Sequence, residues 1–316
     1  MNQPRTDSTE ETRFPVARRR HRGFIVHVAE NLTDANRQDA ILALLDDPSP
    51  SVRRALLRYF ETNREAARAF LNRVIAGPNR FSAIHARWYL LELNNADPAN
   101  EFRDFIRSLG YELETGALLL CRTIDPELDV GDICEQLDRI ATRCRELLIE
   151  NLSPHGQCRV LNRVLFHEYG FRGNAEDYEN PDNSFLHRLL ETRRGLPISL
   201  ATLYLIIAER CGIRVEPVGL PGHFLVGCYE ADVPFYIDVF DRGRFLTPHD
   251  LFEYLQRQGI APDEIYLSPT TVREVLCRSC RNLARHYAAA GSPPMARLFE
   301  EFVEEFERVH EQHQSS

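Results

Sequence analysis

The chain has 316 residues, 43% of them apolar and 27% charged, with 38 basic against 47 acidic side chains and a formal charge of −9. That suits a globular protein of one large or two to three small domains, and it argues against general nucleic-acid binding, which needs a basic face to displace counterions. No apolar run reaches the ~20 residues of a membrane span, and the first residues lack the apolar core of a secretory signal, so the expectation is a cytoplasmic protein with no membrane contact.

Residues 1–22 are polar, aperiodic and arginine-rich, ending in ARRRHR, and read as a disordered tail. From 23 to 110 apolar residues recur at helical three-and-four spacing in short segments. Breaks are expected at Asp47-Pro48, Gly77-Pro78 and Asp97-Pro98. This resembles HEAT-type repeats weakly, and a small helical bundle explains the pattern equally. Such a region offers a surface rather than chemistry.

A helical lead-in follows over residues 111–150, where Glu112 and Glu114 suit a helix N-terminus. QCRVLNRVLFHEYGF ends at Gly170, and a loop dense in Gly, Asn, Asp and Pro runs to Phe185. SFLHRLLETRRG predicts a short helix capped by Asn183 or Ser184. LPISLATLYLIIAERCG is apolar nearly all round, so it predicts a buried helix, with Pro197 in its first turn and Gly212 at its C-terminal cap. RVEPVGL, HFLVGCYEA and VPFYIDVF read as strands. A helix over 248–260 and a hairpin of two helices over 269–316 complete the chain. Helices, then a small antiparallel sheet, then helices make an α+β fold.

The eight cysteines are scattered through apolar helical patterns and read as reduced, packed thiols. Cys277 and Cys280 form one C-x-x-C, with no second pair to complete a zinc site. Phosphate-loop, dinucleotide and calcium-loop signatures are absent, so no metal and no cofactor is expected.

From Asn162 to Phe240 an ordered string of motifs stands out: N-R-V-L-F, Y-G-F-R-G-N, D-Y-E-N-P-D-N-S-F-L, R-R-G-L-P-I-S-L, P-G-H-F-L and Y-I-D-V-F. The string resembles the transglutaminase-like core of bacterial SirB-type proteins, which a eukaryotic F-box protein shares. The resemblance covers roughly residues 105–290 and implies a core domain over 111–268 with a papain-like arrangement. Enzymes of that superfamily carry a cysteine at the start of a buried helix, a histidine base on the next strand and an orienting aspartate on the strand after. Carried onto this chain, the histidine is His223, the aspartate Asp238, and the cysteine position holds Pro197.

Proline supplies neither nucleophile nor proton. Ser199 lies about 200° further round the helix, and Cys211 near its far end about 20 Å away. Cys228 sits at odd spacing from His223, hence on the opposite face of a strand. Asp177, Tyr178, Asn183, Arg193 and Ser199 are the candidate binding residues around the cleft, although Asn and Asp also close turns, the reading preferred for Asn183. The expectation is a protein- or peptide-binding module without catalysis. The alternatives are a hydrolase or acyl transferase working through His223 and Asp238 with water or another nucleophile, and a structural scaffold.

Overall fold

The computed structural model describes residues 35–47, 49–93 and 97–314. The expected disordered tail, its arginine cluster and Pro48 lie outside the described residues. The chain divides into two compact units within its third helix, between Phe70 and Leu71.

In the first unit lie α1 (Ala35–Leu42), α2 (Pro50–Thr62) and the start of α3 (Arg64–Ile75). Its buried side is made by Ile41, Leu45, Val52, Leu56, Phe60 and Ala67. α1 ends at Leu42, five residues before the expected break at Asp47-Pro48.

The second unit is α+β. It contains α4 (Arg80–Leu93), α5 (Pro98–Arg107), α6 (Leu113–Arg122), α7 (Val130–Leu147) and α8 (Pro154–Asn162). Polar caps fix several starts. Glu112 accepts from the Glu114 and Thr115 amides at 2.9 and 2.7 Å, so it does act at a helix N-terminus. Asp129 and Ser153 cap α7 and α8 in the same way. After a π-helical turn over Arg163–Glu168, β1 (Arg172–Gly173) pairs in parallel with β2 (Arg194–Gly195). Between them stand a 3-10 turn (Pro181–Ser184) and α9 (Leu186–Thr192). Asn180 caps that turn through the Asp182 amide, whereas α9 starts after Phe185 with no side-chain cap. Asn183 and Ser184 therefore sit inside the turn rather than capping the helix.

Helix α10 (Pro197–Arg210) is buried along nearly its whole length, as its all-round apolar sequence requires. It packs on α6, α7 and α9 and against the sheet. That sheet is an antiparallel meander of β3 (Glu216–Leu220), β4 (His223–Cys228), β5 (Phe235–Asp238) and β6 (Arg244–Leu246), in that order. Pro221 and Gly222 join β3 to β4, with Leu220 paired to His223. Gly222 has φ +74°, the conformation that the third position of a Pro-Gly turn demands. β6 was not expected: three residues between Gly243 and Thr247 are too few to carry a period. Helix α11 (Pro248–Arg257) covers one sheet face, burying Leu251 and Leu255 against Val218, Leu220, Leu225 and Tyr236. The chain closes with the hairpin of α12 (Val272–Ala289) and α13 (Pro293–Gln314). Phe302 of α13 meets Phe102 of α5 edge-on at 4.9 Å.

The loop after β5 is pinned from α8. Asn162 Nδ2 donates to the Gly243 carbonyl at 2.6 Å, and Gly243 has φ +78°. A Cβ built there would stand 2.5–2.7 Å from the Asn162 amide group. Gly243→Ala therefore combines backbone strain with overpacking, and urea unfolding should register a loss of about 2 kcal/mol or more. A variant as stable as the parent would remove this account of the loop.

Candidate functional site

Strand alternation brings the first pair of residues together. Leu225 and Tyr236 share the core cluster on the α11 side of the sheet. His223 is two residues from Leu225, and Asp238 two from Tyr236, so both emerge on that same face at its rim. Their side chains meet there: His223 Nε2 donates to Asp238 Oδ2 at 3.0 Å. The other oxygen, Oδ1, accepts from the Phe240 and Asp241 amides at 3.0 and 3.1 Å. Burial works to raise the Asp238 carboxyl, but the His223 hydrogen bond and charge and the two amides outweigh it and hold the group below the usual carboxylate range. An ionised carboxylate only accepts, so Nε2 carries the proton. That leaves Nδ1 as the ring nitrogen with no hydrogen bond among the described residues.

The ring is held from two other elements. Tyr254 of α11 lies 6.0 Å from it, centroid to centroid, and donates its hydroxyl to the Pro221 carbonyl at 3.1 Å. Arg278 of α12 donates through Nη2 to the Leu220 and His223 carbonyls, both at 2.9 Å. Arg278 thus clamps the turn that delivers His223. Sequence reasoning missed it, because nothing in the spacing of a helical arginine reveals a turn captured across 55 residues.

A cleft opens beside the pair and has two lobes. Each has a volume of about 470 Å³, and Tyr178, Pro197, Gly222 and His223 line both. The first lobe continues along Asp238, Phe240, Arg244, Leu246 and Tyr254, the second along Ile198, Phe224, Arg278, Asn282 and Arg285. Tyr178 stands at the partition, edge-on to Phe240 at 6.0 Å and to His286 at 6.2 Å. No cysteine, serine, threonine or lysine lines either lobe among the described residues.

Four of the sequence-derived residues are therefore gathered in one place: Tyr178, Pro197, His223 and Asp238. The other four stand apart from the lining. Ser199 is buried at the start of α10, where its hydroxyl accepts from the Leu196 amide at 2.9 Å and donates to the Asn183 carbonyl at 2.6 Å. Asn183 is buried and donates to the Asp177 carbonyl at 2.6 Å, while accepting from Asn174 at 2.8 Å. Asp177 accepts from Asn180 at 2.9 Å. Arg193 closes α9 in the left-handed conformation, its guanidinium 4.8 Å from the centre of the Phe171 ring. These contacts hold the loop and the helix ends in place. Cys211 is at the far end of α10, and Cys228 faces away from His223 with its sulfur toward the Arg214 carbonyl.

Residues 131–281 match the family model described as the transglutaminase-like superfamily. The core of this chain is thus similar to that superfamily. Relatives carry the same stretch. A UPF0162 protein of Xylella fastidiosa is 35% identical over 183 residues, 56% of this chain and 65% of that protein. F-box only protein 21 of Homo sapiens is 38% identical over 132 residues, 39% of this chain and 20% of its own length. A UPF0162 protein of Pseudomonas aeruginosa is 28% identical over 200 residues, 62% of this chain and 73% of that protein. The chain thus covers less than two thirds of the Xylella relative. No solved structure gives a significant match. Among the described residues no helix is long and apolar enough to cross a membrane.

Proposed function

We propose that this transglutaminase-like core binds a peptide or protein segment in its cleft and performs no acyl transfer. The observation that carries the reading is Pro197. It stands in the wall shared by both lobes, beside a His223–Asp238 pair set at 3.0 Å, and the family resemblance aligns it with the cysteine of the superfamily's enzymes. A proline there has no thiol. It also has no backbone N–H, so the first residue of α10 offers no donor to an oxyanion. The neighbouring hydroxyl, Ser199, is committed to the helix start. In this reading His223, Asp238 and Tyr178 are recognition residues, the 23–110 helices are a second surface, and the hairpin from 269 is a buttress. The matched stretch of the human F-box only protein 21 is only 20% of that protein, which fits a core used as a module within larger chains.

The test is covalent. Iodoacetamide and a fluorophosphonate should leave the cleft unlabelled in the native chain. Labelling of one cleft residue, abolished by His223→Ala while the circular dichroism is unchanged, sinks the reading.

A second reading rests on the His223 ring. With Nε2 given to an ionised Asp238, Nδ1 is a positioned base that could activate water on an amide or ester. It requires turnover of some amide or ester that vanishes in His223→Ala. Equal inertness of both proteins across a broad panel disposes of it.

A further inference from the structure

The second lobe of the cleft is cationic and has no counter-charge of its own. Arg278, Arg285 and Asn282 line it beside His223, and no carboxylate does. Neighbouring arginines on α12 are neutralised: Arg281 meets Glu274 at 2.8 Å and Glu307 at 3.2 Å, and Arg273 meets Glu274 at 3.6 Å. Arg278 and Arg285 form no ion pair among the described residues. Arg285 Nη2 donates to His286 Nε2 at 3.1 Å, a neutral partner because burial and the Arg285 charge both disfavour the imidazolium.

Arg278 is also held in a fixed orientation. Its Nη2 is given to two carbonyls and its guanidinium lies 5.4 Å from the centre of the Phe224 ring. Nε and Nη1 have no hydrogen-bond partner among the described residues. Burial lowers its pKa, against the pull of Glu274, Tyr178 and Tyr254, so its charge is desolvated without being matched. A desolvated, unmatched guanidinium is costly unless a ligand completes it. Every one of the 38 basic residues is an arginine, so each cation here is a planar fork suited to a two-oxygen anion.

We propose that this lobe is an oxyanion subsite, in which Arg278 and Arg285 grip a carboxylate or phosphate group and Asn282 supplies a neutral donor. It goes beyond the peptide reading, because a small anion would fill it whether or not a peptide occupies the first lobe. The two sources of the anion share their chemistry and separate in the assay.

Titration calorimetry at constant ionic strength decides it, with three probes: inorganic phosphate, an acetylated tetra-alanine with a free carboxylate, and the same peptide amidated. At least one of the first two should bind the full-length chain at one site, and the amide should not compete with it. Binding of phosphate alone assigns a phosphate, and binding of the free carboxylate assigns a peptide terminus or acidic side chain. Arg285→Ala removes an exposed side chain together with its hydrogen bond to His286 and should weaken binding about tenfold or more. Arg297→Ala, exposed on α13, should leave it unchanged. Arg278→Ala removes the turn clamp as well, so Arg278→Lys, which keeps the charge but not the fork, is read beside it and should restore part of the affinity. The subsite is overturned if neither phosphate nor the free carboxylate binds, or if Arg285→Ala binds as tightly as the parent.

Discussion

A Pro197→Cys variant is expected to carry one new thiol that reacts with iodoacetamide at pH 7 about tenfold faster than free cysteine. Position 197 opens a helix of 14 residues whose N-terminal end carries partial positive charge, and it shares the cleft wall with His223. Both favour the thiolate. A free thiol near its ordinary pKa is only a few per cent ionised at neutral pH, so a modest depression produces most of the gain. The substitution is mild for the fold, since proline at the first helical position makes no hydrogen bond that cysteine would lose. Natural thiols are poor competitors: all but Cys211 are buried, and burial pushes Cys121 up to about 12 and Cys277 to about 11. Two thiols differ. Cys228, which its contact with Cys158 brings down to about 7, is buried; Cys211 is half-buried, and its contact with Cys144 holds it below the ordinary thiol value, so the experiment is run in a Cys211→Ser background. Adding His223→Ala should return the rate to that of an ordinary thiol. If the new cysteine labels no faster than free cysteine, or labels equally without His223, then Pro197 and His223 do not share a catalytic geometry and the reading of a vacated nucleophile position falls.

What the sequence yielded followed from how local each feature is. Helix α10 was legible because its apolar residues run all round and Pro197 and Gly212 mark its ends. His223 and Asp238 were legible only through the resemblance that the ordered motif string carries, and the register of β4 and β5 places both on one sheet face, where they meet at 3.0 Å. Asp177 and Arg193 looked the same on paper as Tyr178, yet they hold a loop and a helix end while Tyr178 lines the cleft. A polar residue in a loop next to a site has two uses, and only the direction of its side chain separates them. Arg278, Asn282 and Arg285 were invisible because they face the cleft from a helix 55 or more residues beyond His223, and the pattern of α12 reads simply as an amphipathic helix. Strand β6 and the pairing of β1 with β2 were too short to leave a period. Glu114 was half legible. Its place at a helix start was right, but its partner was hidden in α10.

That partner supplies the largest stability effect expected here. Arg210 is 1% exposed, yet it carries a full charge among Glu114, Asp138 and His85. Its Nε donates to Glu114 at 3.2 Å and its Nη1 to Asp138, whose other oxygen takes His85 Nε2 at 3.1 Å. His85 Nδ1 faces the Phe81 carbonyl at 2.9 Å, so both ring nitrogens donate and the imidazole is cationic. Arg210→Ala leaves the Glu114 carboxylate buried without its guanidinium partner, at a cost of about 3–5 kcal/mol. The thermal midpoint of the second unit should fall by on the order of 10 °C. Arg210→Met with Glu114→Leu removes both charges and keeps the volume, so it should recover most of the loss. If the double variant is as damaged as the single one, the cost is packing and not an uncompensated charge. The same network sets a pH dependence. Burial opposes ionisation of Asp138, but His85 and Arg210 prevail and lower its pKa, so its contribution is full above the ordinary carboxylate value and lost as pH falls from there through the lower folded one. Burial likewise opposes the His85 cation, but Asp138 prevails and raises its pKa. Its contribution is therefore full below about pH 6.5, the unfolded value, and lost as pH rises through the higher folded one. Thermal midpoints measured across that alkaline limb should decline in the parent and decline less in His85→Gln, and identical slopes would mean that His85 does not carry the charge assigned to it.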